Sequence, residues 1–354
     1  MSELSDTTED EQATEDEEPA TAEEQVADLV EESKAQQAAV VAAAQPKPIV
    51  EPKIRRLNII GRRNFFFALS LIIIIPGIVS MWHNHFKLGI DFAGGTEFTV
   101  SFSESPSLAR VETAVAAEGL NGSVIQTAGG GYILRYPILN QQQQSDVQTD
   151  LQHRLGPMNV QQILAVGGTI AGETIEFSLL AVVIASVAIL ALLAIRFRNV
   201  PGGWRAGFQF GGSALAALLH DVFVLTGLFS IFGTVFGWKV GEINAYFVTA
   251  VLTVVGFSVH DTIVVFDRIR ENLRVSQRLS FEQVVNLSIM QTAARSIITS
   301  FTVVLVLAAI FIAGGATLQG LALALLIGIV SGTYSSIFNA APLLVVWRRL
   351  QPLR

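Results

Sequence analysis

The chain has 354 residues, 51% of them hydrophobic and only 15% charged, with no cysteine and a formal net charge of −7. An ordinary soluble domain carries about 25% charged residues, so a soluble globular class fits poorly. The lack of cysteine excludes disulfides, cysteine metal sites and cysteine nucleophiles.

The charge is unevenly spread. Residues 1–33 hold fourteen Asp and Glu and no Lys or Arg, which leaves the rest of the chain at +7. This start lacks the basic and apolar regions of a secretory signal. Residues 1–52 read as an acidic, disordered cytoplasmic tail. A basic flank follows, with Lys53, Arg55, Arg56, Arg62 and Arg63, and it leads into an uncharged run from Asn64 to Trp82. About 20 mostly apolar residues in a helix cross the hydrocarbon core. Five further runs qualify: Phe177–Ile195, Ala206–Phe232, Ile243–Phe266, Ser296–Ala313 and Leu321–Trp347. The expected fold class is a polytopic α-helical membrane protein with six transmembrane helices. Residues 53–82 form the basic flank and first span, 174–349 a five-helix bundle, and 350–354 a cytoplasmic end.

Between the first two spans, residues 83–173 are long enough for a small domain. The strand-like stretches "TEFTVSF", "SVIQTAG", "GYILRYP" and "MNVQQILAVGG" alternate with the helical stretches "SLARVETAVAAEGL" and "QQQSDVQTDLQHRLG". Phe98, Val100 and Phe102 alternate on one strand face, and Val111, Val115 and Leu120 form a helical stripe. The order βαββαβ is that of an α+β ferredoxin-like domain. Its only histidines are His83, His85 and His153, so it holds no evident catalytic set and reads as a binding or moving part. Lys and Arg concentrate in the flank before the first span, the second-to-third and fourth-to-fifth loops, and the C-terminal end. Such bias marks cytoplasmic segments, which places both termini inside and the domain outside.

Three stretches carry polar residues where the pattern does not demand them. "LGIDFAGGTEF" follows the first span, and Gly89, Gly94 and Gly95 there permit backbone turns that a Cβ would block. Asp91 lies between them. "SVHDTIVVFDRIREN" ends the fourth span. Asp267, Arg268 and Arg270 read as an interfacial exit stabilised by i,i+3 and i,i+4 pairs, but Asp261 lies deeper. A charged side chain at mid-membrane costs about 2.5–3.5 kcal/mol on insertion scales. Thirty-four residues later Arg295 opens the fifth span, an antiparallel neighbour of the fourth. The two charges can satisfy each other, either as a static packing pair or as an ion pair that opens when Asp261 takes a proton. Ser258, His260 and Thr262 flank that site.

The third span carries a second His-Asp dipeptide ending at Asp221, a second relay or packing group. Adjacent helical residues point about 100° apart, so neither dipeptide offers two metal ligands on one face, and no metal is expected. In the last span Gly328 and Gly332 form a small-xxx-small pair suited to close helix contact.

The stretches "LGIDFAGGTEF", "HDTIVVFDRIREN", "TAARSIITS" and "GTYSS" together resemble the SecD/SecF family, and within it the SecF type, from about Arg55 to Arg349. The resemblance implies half of a fold related to resistance-nodulation-division exporters. It also implies the use of the proton gradient to promote preprotein export across the bacterial cytoplasmic membrane. The implied partners are SecD, the SecYEG channel, YajC or YidC, the translocating preprotein, protons and membrane lipid, with no cofactor and no nucleic acid. The family's key aspartate falls on Asp261 and its key arginine on Arg295, while His260 stands where Asn is common. Competing classes are half of a small-molecule exporter, a non-transporting scaffold and an intramembrane aspartyl protease. The last is weak, because no Gly-x-Gly-Asp precedes either aspartate.

Overall fold

The computed structural model describes residues 57–351, except 128, 201, 276 and 277. The acidic tail 1–52, the flank residues Lys53, Arg55 and Arg56, and Arg354 lie outside the described residues.

Six helices are long and apolar enough to cross a membrane. The first span contains α1 (Arg63–His83). A short helix, α2 (Ile90–Ala93), leads into the sheet domain. Its elements are β1 (Gly95–Phe102), α3 (Leu108–Ala117), β2 (Ser123–Gln126), β3 (Tyr132–Tyr136), α4 (Gln141–Leu155) and β4 (Met158–Val166). The remaining spans are α5 (Gly168–Arg196), α6 (Gly203–Ser230), α7 (Ala245–Val275), α8 (Phe281–Ala313) and α9 (Ala316–Ser335), the last continuing through a π-helical turn into α10 (Ala341–Leu350). The protein is therefore a multi-pass membrane protein.

Helices α5, α7 and α8 run past the apolar stretches read from the sequence. The fourth span was expected to end at Phe266 and continues to Val275. At 1.5 Å per residue its 31 residues measure about 46 Å, more than the ~30 Å hydrocarbon core, so its charged end protrudes. The second span begins at Gly168, inside the stretch assigned to the outer domain, because a helix accepts Glu173 and Glu176 once it is clear of lipid.

The sheet has strand order β2-β3-β1-β4 and is antiparallel throughout, the ferredoxin-like arrangement expected. Phe98, Val100 and Phe102 on β1 are buried against Val111 and Val115 of α3 and Val147, Leu151 and Leu155 of α4. The other face of the sheet, with Glu97, Arg135 and Gln162, lines a cleft of about 600 Å³ together with Trp238, Lys239 and Glu242 of the loop before α7.

Glu118 follows α3 and faces Tyr136 on β3. Neither carboxylate oxygen nor the tyrosine hydroxyl makes a hydrogen bond of normal geometry. Burial pushes the Glu118 carboxyl above its ordinary range, against the smaller opposing influence of the Tyr136 hydroxyl. A carboxyl raised on folding adds stability that is complete below its unfolded value and is lost as pH rises through its folded value. Thermal stability should therefore decline as pH climbs out of the carboxylate range, and Glu118→Gln should flatten that decline. Melting curves of the two proteins across that range check this, and parallel slopes would contradict it.

In the bundle, α6, α7 and the last span supply the interior. Their apolar windows are 44–50% buried, against 11–17% for the first, second and fifth spans. Close approach rests on glycine. A Cβ on Gly77 of α1 would lie 2.8 Å from Gly227 Cα of α6, and a Cβ on Gly332 of α9 would lie 3.0 Å from the Ser258 side chain of α7. A Cβ on Gly328 would collide with Val254 of α7. The Gly328/Gly332 pair thus works as the sequence suggests, letting α9 lie against α7.

Candidate functional site

Because α9 approaches α7 so closely, its seryl hydroxyls reach across to α6 and α7. Asp221 on α6 is 0% exposed and accepts four hydrogen bonds. Ser331 Oγ donates to Oδ1 at 2.7 Å, and His220 Nδ1 stands 3.0 Å from the same oxygen. Ser258 Oγ and Ser335 Oγ donate to Oδ2 at 2.6 and 2.7 Å. A carboxylate offers about four lone-pair sites, and here all are matched. The donors come from α6, α7 and α9, so Asp221 ties the three interior helices together. The side chains of His220 and Asp221 meet although adjacent helical residues point about 100° apart. His220 Nε2 is buried without a partner. Its ring stacks near Tyr334, with centroids 6.1 Å apart.

Asp261 on α7 is 3% exposed and lies five residues before Phe266, the last residue of the run Ile243–Phe266 read from the sequence. Its environment differs from that of Asp221. Its hydrogen bonds are long, from Ser300 Oγ of α8 at 3.5 Å and Thr333 Oγ1 of α9 at 3.4 Å. Those two hydroxyls lie only 2.5 Å apart and so are partly engaged with each other. Thr262 donates to Ser258 O at 3.0 Å and contacts Ser336 Oγ at 2.9 Å, at the start of the π-helical turn Ser336–Ala340. Such turns inside helices are frequent at functional sites.

The expected ion pair between Asp261 and Arg295 is not formed. Arg295 is exposed and makes no ion pair among the described residues. The reason is azimuth. Ser296 and Ser300 lie one turn apart on the buried face of α8, and Arg295 stands one residue, about 100°, off that stripe. Spacing along the chain placed the two charges at one depth but not on facing sides. His260, next to Asp261 in sequence, is exposed and makes no hydrogen bond among the described residues.

At the charged end of α7 the anticipated pairs are present. Arg270 reaches Asp267 at 3.2 Å and Arg268 reaches Glu271 at 2.6 Å, while Arg196 of α5 meets Asp267 at 2.9 Å. At the other end, Gly94 (φ +72°) and Gly95 (φ +130°) turn the chain from α2 into β1. A Cβ on Gly95 would lie 2.7 Å from Tyr136 O, so this position needs glycine both for conformation and for space. Asp91 accepts a hydrogen bond from Ala245 N at 2.9 Å, at the first residue of α7.

Sequence reading missed the Ser300 hydroxyl beside Asp261, and it saw Ser331, Thr333, Ser335 and Ser336 as polar groups for close helix contact or a water-lined face, without linking them to either aspartate. The i,i+4 spacing of Ser331 and Ser335 was the available signal. It missed Arg135 and Glu242 altogether.

The family description "Protein export membrane protein SecD/SecF, C-terminal" matches residues 146–350, and the "SecD/SecF GG Motif" matches residues 79–106. A protein translocase subunit SecF from Thermobaculum terrenum is 43% identical over 311 residues, covering 84% of this chain and 96% of the relative. One from Anaerolinea thermophila is 41% identical over 296 residues, covering 82% and 94%. Among solved structures, SecDF from Thermus thermophilus, described as a translocon-associated membrane protein, superposes with a TM-score of 0.74 at 29% identity over 86% of this chain. The SecDF structure described as a super-membrane-facing form gives 0.59 at 27% identity over the same share. The chain spans 40% of the length of each SecDF chain. On this match of sequence, span number and sheet topology, the chain belongs to the SecD/SecF family of protein export membrane proteins.

Proposed function

We propose that the chain is the SecF-type half of an auxiliary to the Sec preprotein translocase. With a SecD-type half it draws on the proton gradient across the cytoplasmic membrane to promote protein export, with both termini in the cytoplasm. The observation that carries this reading is the contrast between the two buried aspartates. Asp221 is fully hydrogen-bonded and acts as an anchor. Asp261 holds only two long hydrogen bonds and no ion pair among the described residues, so it is the carboxyl whose proton can come and go without dismantling the bundle.

Moving one charge through the membrane potential releases about 2.3 kcal/mol per 100 mV, enough to bias conformers a few kcal/mol apart. When Asp261 ionises in this low-dielectric interior it needs a counter-charge. Arg295 supplies it if α8, one of the least packed spans, turns by about 100°. Proton binding then releases Arg295 and reverses the turn. This cycle performs no covalent chemistry.

The SecD-type half is the partner that α7 calls for. Its outward stripe, Thr249, Thr253, Gly256 and His260, is small and polar where lipid contact favours apolar side chains, and small residues suit helix–helix contact in membranes. SecYEG, with YajC or YidC, and the preprotein are the further partners this role implies. Co-expressed with a SecD-type subunit, the chain should be recovered as a stable complex. A reporter fused after Asn140 should be extracytoplasmic and one after Leu279 cytoplasmic. Both reporters on one side, or full gradient-driven activity without a SecD-type half, would refute the reading.

A further inference from the structure

The four residues Glu242–Ala245 enter the fourth span and are bound to the sheet domain and its stem in three ways. The first is a backbone ladder: Gly89 N donates to Ile243 O at 2.8 Å and Ile243 N donates to Lys87 O at 2.9 Å. The second is a shared helix cap. Asn244 Oδ1 accepts from Phe247 N at 3.0 Å, and Asp91 Oδ2, from the stem, accepts from Ala245 N at 2.9 Å. A carboxylate at a helix N-terminus satisfies a free N–H and complements the helix dipole.

The third is a buried ionic fork. Glu242, 4% exposed, receives Arg135 Nη1 at 3.0 Å and Nη2 at 2.6 Å. Arg135 Nε in turn donates to Glu97 at 2.7 Å, its cross-strand neighbour in register. Two parallel N–H···O bonds fix orientation as well as distance.

These contacts enter the sheet at its two central strands: Asp91 leads through α2 and Gly94-Gly95 into β1, and Arg135 sits on β3. The helix they seize is the one that carries Asp261, sixteen residues or about 24 Å further on. An α-helix is stiff over that length, and Glu242 beside its start and Asp261 further along it are both buried.

We propose that Arg135, Glu242 and Asp91 are positioning residues that transmit movement of the fourth span to the outer domain. The inference rests on the proton-driven reading above. The fork holds β3 against the start of α7, and the Asp91 cap holds the stem of β1 to the same turn, so a shift or tilt of α7 moves the sheet as a body. A purely static dock would need neither two separate attachments to one helix turn nor their convergence on the two central strands.

The native chain has no cysteine, so two introduced cysteines, one on the exposed face of α4 and one in the cytoplasmic loop after α7, can carry a distance label without background once the SecD-type half is also cysteine-free. In the complex with a SecD-type half, the label distance is read with and without a proton gradient, alongside preprotein release. The parent complex should show a gradient-dependent distance change. Glu242→Gln, which breaks the fork, should lose that change and the gradient stimulation together, while the complex still assembles. Should Glu242→Gln fail to assemble, the Asp91 pair decides. Asp91→Asn keeps an acceptor for Ala245 N and should behave as the parent, whereas Asp91→Ala should lose the change. A gradient-dependent change that persists in Glu242→Gln or Asp91→Ala overturns the transmission role. No change in the parent itself overturns the proton-driven reading instead.

Discussion

Asp261→Asn is expected to abolish gradient-dependent export while leaving the protein abundant and assembled. Asn preserves the shape of the side chain and can accept the long hydrogen bonds from Ser300 and Thr333. The packing around it therefore changes little, and the stability cost should be small. What it loses is the ability to bind and release a proton. Arg295→Lys should impair the same step, because a compact ammonium does not reproduce the planar fork of a guanidinium. Reduced abundance of Asp261→Asn, with normal stimulation per molecule, would assign this residue to packing.

Asp221→Asn is expected to have the opposite profile. An amide replaces one acceptor oxygen by a donor and faces hydroxyl groups that now point donors at it. Hydrogen bonds to a charged group contribute about 1.5–3 kcal/mol each, and at least one is lost outright. A destabilisation on the order of 3 kcal/mol, seen as a lower melting temperature in detergent and lower abundance in membranes, is the expected result. The molecules that do assemble should retain gradient stimulation. A variant that melts with the parent would show that the four-donor cage is not the junction of α6, α7 and α9.

These opposed roles were only half legible in the sequence. The spans were readable because a helix in lipid has to be apolar along its whole length, and the sheet domain because Phe98, Val100 and Phe102 alternate while Val111 and Val115 repeat at helical spacing. The two aspartates stood out as charges inside uncharged runs. Their partners did not. Ser331 and Ser335 resemble ordinary small packing residues until Gly328 and Gly332 are seen to bring α9 onto α7. Asp261 and Arg295 are not paired in this structure, because sequence separation fixes depth in the membrane but not rotation about the helix axis. Arg135 and Glu242 lie 107 residues apart, one in a strand and one in a loop, and no local pattern links them.

The central claim is that this chain converts proton flow into preprotein movement through Asp261. It is tested most directly by preprotein release from vesicles that hold equal amounts of parent or Asp261→Asn protein in complex with a SecD-type half, with and without an imposed proton gradient. The account predicts that the gradient accelerates release by the parent and has no effect on the variant, whose release stays at the ungraded basal rate. Equal acceleration in both would contradict it and move the proton-carrying role away from Asp261.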